Sequence, residues 1–174
     1  MSDSVGDGCV LFQGMTATER QAVLEKMERH QFTAGEEILH EGGESHSLFV
    51  VTSGRCSVHK HANAGGPQRH LAFLDPGAVF GEMSFLNAAT HSASVKAESA
   101  VELLRLKREL FEGLLAEHPA LAAMVLKNVV GILSDRLRRM DDWVCNLIEG
   151  ESCHPKTEEW RQFRARLFTE WNLA

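Results

Sequence analysis

The spacing of apolar positions changes twice along the chain. Val23, Leu24 and Met27 fall on one side at helical spacing, so a helix near 17–30 is predicted. Thr16 and Glu19 stand in front of it as a capping box, in which the hydroxyl accepts an early amide and the carboxylate reaches back. From about 32 to 106, short apolar runs alternate with turn residues: Gly35, Gly42-Gly43, Ser53-Gly54, the 64–67 run Ala-Gly-Gly-Pro, and Asp75-Pro76-Gly77. The strand candidates are Glu37–His40, Ser47–Val51, Cys56–His61, His70–Leu74 and Ala93–Leu106, with a hairpin loop over 62–69. Many short strands with a turn signal about every 8–12 residues predict an all-β sandwich or barrel.

After residue 106 the helical spacing returns. Lys107–Glu117 is one short candidate. Pro119 suits the first position of the next helix, where its missing N–H costs nothing. That helix runs to about Gly150, roughly 45 Å at about 1.5 Å per residue. Along it Leu126, Val130, Leu133, Leu137, Met140, Val144 and Leu147 alternate in steps of four and three. This is a heptad seam with Val130, Leu137 and Val144 at a and the others at d, a pattern that favours a parallel two-stranded coil. Arg136 then falls at g and Asp141 at e, placed for a salt bridge between helices. The seam predicts a homodimer. The alternative is that the same stripe docks on the helix's own β-domain.

The domain plan is therefore a flexible 1–9, a β-roll with flanking helices over 10–118, a dimerisation helix over 119–150 and a tail over 151–174. In the tail Pro155 breaks the chain and Thr157 caps a last helix carrying Trp160, Phe163, Leu167, Phe168 and Trp171 on one face. That face either packs on the parent domain or its dimer partner, or serves as a docking helix for another protein.

Composition narrows the function classes. A net charge of −6 over 174 residues argues against a nucleic-acid binder, which carries a basic face. Cys9, Cys56, Cys145 and Cys153 form no C-x-x-C pair and fit reduced thiols in a cytoplasmic protein. No secretory signal is visible at the N-terminus, and no apolar stretch approaches the ~18 residues of a membrane span. No nucleophile elbow, P-loop or dinucleotide fingerprint appears. The chain is expected to be a binding module without a cofactor, not an enzyme.

The segment richest in chemistry runs from Asp75 to Leu86 and on through Ser92-Ala93-Ser94-Val95. A Pro-Gly turn delivers a strand end to Gly81, which permits close backbone approach. Glu82 to Leu86 can start a short helix whose first amides point at an anion. A carboxylate at Glu82 can accept hydrogen bonds from sugar hydroxyls.

Several motifs stand in order around this segment. They are Leu11-Phe12, Phe32 with Gly35-Glu36 and Ile38, Glu41-Gly42, Leu48-Phe49 with Val51 and Ser53-Gly54, and Phe80-Gly81-Glu82-Met83. Together, over roughly residues 10–148, the chain resembles the cyclic-nucleotide-binding domain family, which includes the catabolite gene activator protein and protein kinase A regulatory subunits. The resemblance implies a mainly β fold with flanking helices: an antiparallel double-stranded β-helix, or jelly roll, followed by a long C-terminal helix. It implies cyclic AMP or cyclic GMP as the ligand. Gly81 and Met83 would offer backbone amides, Glu82 would bind the ribose 2′-hydroxyl, and Ser92 and Ala93 would line the phosphate. With Ser84 and His91 these make the candidate ligand-binding set. Met140 and Asp141 lie where base contacts are expected.

Two departures from the family pattern matter. Thr90-His91 stands where the family has Pro-Arg. Arg is always charged and offers a planar fork, whereas His has an ordinary pKa of about 6.5. Losing charge-assisted bonds worth about 1.5–3 kcal/mol each weakens affinity by about tenfold to a hundredfold. Weakened cyclic-nucleotide binding, a degenerate domain acting as a protein-interaction adaptor, and a different ligand all stay open. Second, family transcription factors follow the long helix with a DNA-binding helix-turn-helix, for which 151–174 is too short. A stand-alone module that acts through a protein partner is expected.

A metal-dependent enzyme is the remaining alternative. His59-Lys60-His61 puts two imidazoles on one strand face, with His70 across the hairpin. Cupin enzymes with such a pair carry a Glu soon after it, and here Ala-Asn-Ala-Gly follows His61. The Cys153-His154 pair near Cys145 is a weaker candidate still.

Overall fold

The computed structural model describes residues 8–61 and 66–150, with side chains described to Cys145. The tail helix over 157–174, the tip of the 62–69 loop, the flexible start and the Leu147 seam side chain lie outside the described residues.

A 3-10 turn at Val10–Phe12 precedes helix α1 (Ala17–Leu24). The Thr16 N–H donates to Glu19 Oε2 at 2.8 Å, and the Glu19 N–H donates back to Thr16 Oγ1 at 3.3 Å, so the capping box is real. The helix is shorter than its spacing suggests. Glu28–Phe32 is strand β1, whose exposure alternates along its length. Met27 still packs against the core, but from the turn between the two elements.

Strands β2 (Glu37–Leu39), β3 (Ser47–Ser53), β4 (Cys56–His61), β5 (Gln68–Leu74) and β6 (Val79–Phe80) follow. Then come helix α2 (Glu82–Asn87) and strands β7 (Ser94–Ala97) and β8 (Val101–Lys107). The run Ala93–Leu106 is thus two strands rather than one. The break is fixed by Gly54, at φ +79°, pressed against Ala100, and by the Glu98 N–H donating to Arg55 O at 2.8 Å.

The strands form two four-stranded antiparallel sheets, in the orders β1-β8-β3-β6 and β2-β7-β4-β5. Successive side chains alternate faces. Phe49, Val51, Phe80 and Leu103 of the first sheet meet Leu39, Cys56, Leu74 and Val95 of the second, filling the roll. Leu48, Val50, Leu104 and Leu106 face the other way, into a second cluster built with helices. Strand β3 is buried on both faces for this reason, which is why Leu48–Val51 reads as a continuous apolar run.

Helix α3 (Arg108–Glu117) supplies Phe111 and Leu114 to the second cluster. Helix α4 (Pro119–Gly150) begins at the predicted proline and adds Leu121, Ala122, Val125 and Val129. Each such buried Leu or Val contributes about 1.5–3 kcal/mol. Asn128 Nδ2 ties the helix to the N-terminal turn, donating to Leu11 O at 2.8 Å and Gln13 O at 3.0 Å.

The chain divides into two compact units, the first ending at Ile132 and the second starting at Leu133. In the second unit the described part is the distal length of α4. Among the described residues no helix is long and apolar enough to cross a membrane.

Candidate functional site: the turn from β6 into α2

Strand β6 pairs with β3, placing Phe80 opposite Phe49 with the rings stacked at 5.0 Å. The chain then turns at Gly81, whose φ is +80°. A Cβ there would stand 2.5 Å from Ser47 O and 3.1 Å from the Phe49 ring. Position 81 therefore requires glycine twice over, for its backbone conformation and for its closeness to β3.

Beyond Gly81 the amides leave strand pairing and enter a helical turn. The first intrahelical bond is donated by the Phe85 N–H to Gly81 O, at 3.0 Å. The amides of Met83 and Ser84, earlier in the turn, have no carbonyl four residues back to meet. The Glu82 side chain is buried, and Met83 is exposed. Helix α2 ends at Ala88, which takes φ +55° and donates its N–H to Ser84 O at 3.1 Å.

His91 is the residue whose placement the sequence leaves open. Its backbone joins the Gly42-Gly43 turn: the Gly42 N–H donates to His91 O at 2.8 Å, and the His91 N–H donates to Gly43 O at 2.9 Å. Its ring is buried, with 7% of the residue exposed. Nε2 is 2.8 Å from Ser45 Oγ and Nδ1 is 3.1 Å from Ser84 Oγ. Burial, and secondarily the neighbouring His46, hold its pKa below the ordinary imidazole value.

Ser92 is exposed, its hydroxyl 3.5 Å from Met83 Sδ. Its carbonyl accepts from Lys60 Nζ at 2.8 Å. Ala93 is half-buried immediately before β7. Ser94 is buried, and its Oγ accepts the Glu41 N–H at 2.9 Å. Glu41 accepts from the His61 N–H at 2.9 Å and from the His61 ring at 2.8 Å, and these bonds hold its carboxyl below the usual range.

Gly81, Glu82, Met83, Ser84, His91, Ser92 and Ala93 thus come together around one turn and one loop, bound to each other through Ser84 and Ser92. Residues 29–118, which include this turn and loop, match the family model of the cyclic nucleotide-binding domain.

The chain belongs to the cyclic nucleotide-binding domain family.

Its relatives agree. It is 35% identical over 134 residues to the cyclic AMP receptor protein of Thermus thermophilus, covering 77% of this chain and 60% of that protein. The crystal structure of the Thermus thermophilus catabolite activator protein superposes with a TM-score of 0.71 at 34% identity, over 79% of this chain and 62% of that one. A cAMP-dependent protein kinase regulatory subunit of Neurospora crassa is 30% identical over 115 residues, 66% of this chain and 29% of that protein. An enzyme also carries the domain: Glutaminase 2 of Bradyrhizobium diazoefficiens is 32% identical over 127 residues, 73% of this chain but 19% of the enzyme. This chain therefore spans 60% or less of the length of these curated relatives.

The other predicted positions lie elsewhere. On α4, Leu126 packs partly against the helical cluster, while Val130, Leu137 and Met140 are exposed. Leu133, Asp141 and Val144 are half-buried. The histidines of β4 separate: His59 Nε2 is 2.8 Å from Ser57 Oγ with its ring against His70, whereas His61 binds Glu41. Among the described residues no cluster of His, Cys, Asp or Glu is suited to a metal ion. Sequence reasoning passed over Lys60 and Glu41 as site neighbours. Strand alternation was the available signal, since Lys60 lies two residues from the inward-facing Val58.

Proposed function

We propose that this domain is a cyclic-nucleotide-sensing regulatory module, and that it is not itself catalytic. Cyclic AMP or cyclic GMP sits at the Gly81–Ala93 cassette, with its phosphate at the Met83, Ser92 and Ala93 backbone and its ribose 2′-hydroxyl on Glu82. The observation that carries this reading is the Gly81 turn. It brings a helical first turn and a buried carboxylate side by side, in a chain whose cyclic AMP receptor relative is 35% identical.

Affinity is set low by His91. An arginine would reach the phosphate with a permanent charge. The imidazole here is engaged by two serines and is kept neutral by burial. Occupancy is transmitted through α4, whose first turns pack on the roll through Leu121, Val125 and Val129. A ligand that prefers one placement of that helix shifts its population by the difference in affinity and no more. The module works in the cytoplasm as a homodimer and reports to a protein partner.

The inward, fully engaged ring of His91 also favours a second reading, in which the domain has lost nucleotide binding and serves as a protein-interaction adaptor. Calorimetric titration with cyclic AMP and cyclic GMP, at pH 6 and pH 8, separates the two. Saturable heat supports the sensor. No heat at millimolar ligand leaves the adaptor.

A further inference from the structure

We propose that Lys60 on β4 is the cation that pairs with the phosphate at this cassette, taking the place of the arginine that His91 has replaced. The inference rests on the ligand reading above and names the group on which its charge recognition depends.

The placement follows from strand geometry. Side chains two apart on a strand share a face. Cys56 and Val58 point into the roll, where Cys56 is fully buried and Val58 packs against the inter-sheet cluster. Their partners on β7 are Ala97 and Val95, also inside. One step further along the same face comes Lys60, exposed at the end of the ladder and next to the start of β7. Its Nζ donates to Ser92 O at 2.8 Å. The ammonium thus sits on the loop assigned to the phosphate, at the residue directly after His91.

The chemistry fits that position. An ammonium carries three donors and acts as a compact point charge. Ser92 O engages one of the three. The charge is felt locally, because Lys60 helps, after His61, to favour the ionised form of Glu41. Three other cations on the two sheets are engaged elsewhere: Arg55 pairs with Asp75 at 2.7 Å, Arg105 donates to Ser47 Oγ at 2.9 Å, and Lys107 pairs with Glu28 at 2.7 Å, while Arg69 stands opposite Lys60 on β5. The His91 ring is turned to two serine hydroxyls, and burial disfavours its charged form.

Titration of the full chain with cyclic AMP tests this, using the natural protein, Lys60→Met, Lys60→Gln and Lys60→Arg, each checked for an unchanged thermal melt. We expect Met and Gln to weaken binding by about tenfold to a hundredfold, the range for losing a charge-assisted hydrogen bond. Arg, which keeps the charge, should retain most of the affinity. If the natural protein binds and Lys60→Met binds equally well, Lys60 is not the phosphate cation, while the cassette reading stands. If Arg loses as much as Met, lysine acts by packing and the charge role is wrong. If the natural protein shows no binding at millimolar cyclic AMP, the cassette reading itself has failed.

Discussion

Ser84 Oγ lies 3.1 Å from His91 Nδ1, joining the third residue of α2 to the loop that leads into β7. The same hydroxyl donates to Gly81 O at 3.1 Å. A serine has one proton to give. Towards the imidazole it is therefore the acceptor, so Nδ1 carries the ring proton and Nε2 accepts from Ser45 Oγ at 2.8 Å. With the charged ring disfavoured by burial, the neutral imidazole protonated at Nδ1 satisfies these contacts, clamped between the Gly42–Ser45 turn and α2.

That assignment predicts a pH dependence of stability. His91 has a folded pKa below its ordinary value of 6.5, so the unfolded chain binds more protons here than the folded one in the window beneath 6.5. Its stabilising contribution is complete above that value and is lost as pH falls through the folded pKa. Urea unfolding of the natural protein at pH 7.5 and pH 5 should show lower stability at the acid value. His91→Gln, which cannot charge, should lose less over the same interval. Equal losses would mean that His91 does not titrate in this window.

Gly81→Ala should be strongly destabilising. Alanine at φ +80° costs about 1–2 kcal/mol in backbone strain. The Cβ would also meet Ser47 O at 2.5 Å, where β3 cannot retreat without breaking its pairing with β8. The sum should exceed ~2 kcal/mol. Gly77→Ala is the control: its φ is +91° but nothing lies within 4 Å of the added carbon, so it pays strain alone. Chemical denaturation of the two variants should differ by the steric term, and equal losses would remove the close-approach argument.

Much of this architecture was legible in the sequence because it is set locally. Thr16 and Glu19 determine a helix start within four residues, and Pro119 marks the start of α4. The strand runs are bounded by turns that glycines at 42, 54 and 77 make with positive φ. What was not legible depends on partners far along the chain. The end of α1 is decided by the pairing of Glu28–Phe32 with β8, which spacing alone cannot register. The direction of the His91 ring depends on Ser45, 46 residues away. Lys60 was hidden between two histidines that invited a metal reading, and only the register with β7 shows its neighbour. On α4 two apolar stripes overlap, one through Val125 and Val129 and one through Val130 and Leu137. A single periodicity cannot say which of them meets the roll.

Glu82→Gln tests the ribose contact. A carboxylate accepting from a 2′-hydroxyl makes a charge-assisted bond, and the neutral amide should weaken cyclic AMP binding by about tenfold or more. The specific signature is a cycle with 2′-deoxy cyclic AMP. The natural protein should discriminate against the deoxy ligand, and Glu82→Gln should discriminate much less, because one of the two partners is already gone. If both proteins discriminate equally, Glu82 does not touch the 2′-hydroxyl. Calorimetry supplies all four affinities.

His91→Arg tests whether the missing fork limits affinity. An arginine side chain is longer than the imidazole held between Ser45 and Ser84, and turned outward its guanidinium would meet the phosphate. Cyclic nucleotide binding should tighten by about tenfold or more, as a charge-assisted pair implies. The same variant leaves the two serine hydroxyls without the imidazole, so a lower melting temperature should accompany the gain. Unchanged affinity would place the phosphate out of reach of position 91.

The seam on α4 makes the last prediction. Val130, Leu137 and Met140 are 53%, 55% and 53% exposed, although each is a large apolar side chain on a regular helix. Val125 and Val129 on the same helix are fully buried, so the exposed residues are not a failure of patterning but a second apolar line with its own period. Spacing of four and three suits a partner helix in a two-stranded coil. The partner we expect is a second copy of the chain. The natural protein should sediment at micromolar concentration at twice the 19.3 kDa chain mass. Leu137→Glu would bury a carboxylate in the seam at a cost of about 3 kcal/mol or more per chain. It should therefore sediment as the monomer with an unchanged thermal melt for the roll. A natural protein that sediments as the monomer at that concentration removes the pairing, and leaves the exposed line to a different partner.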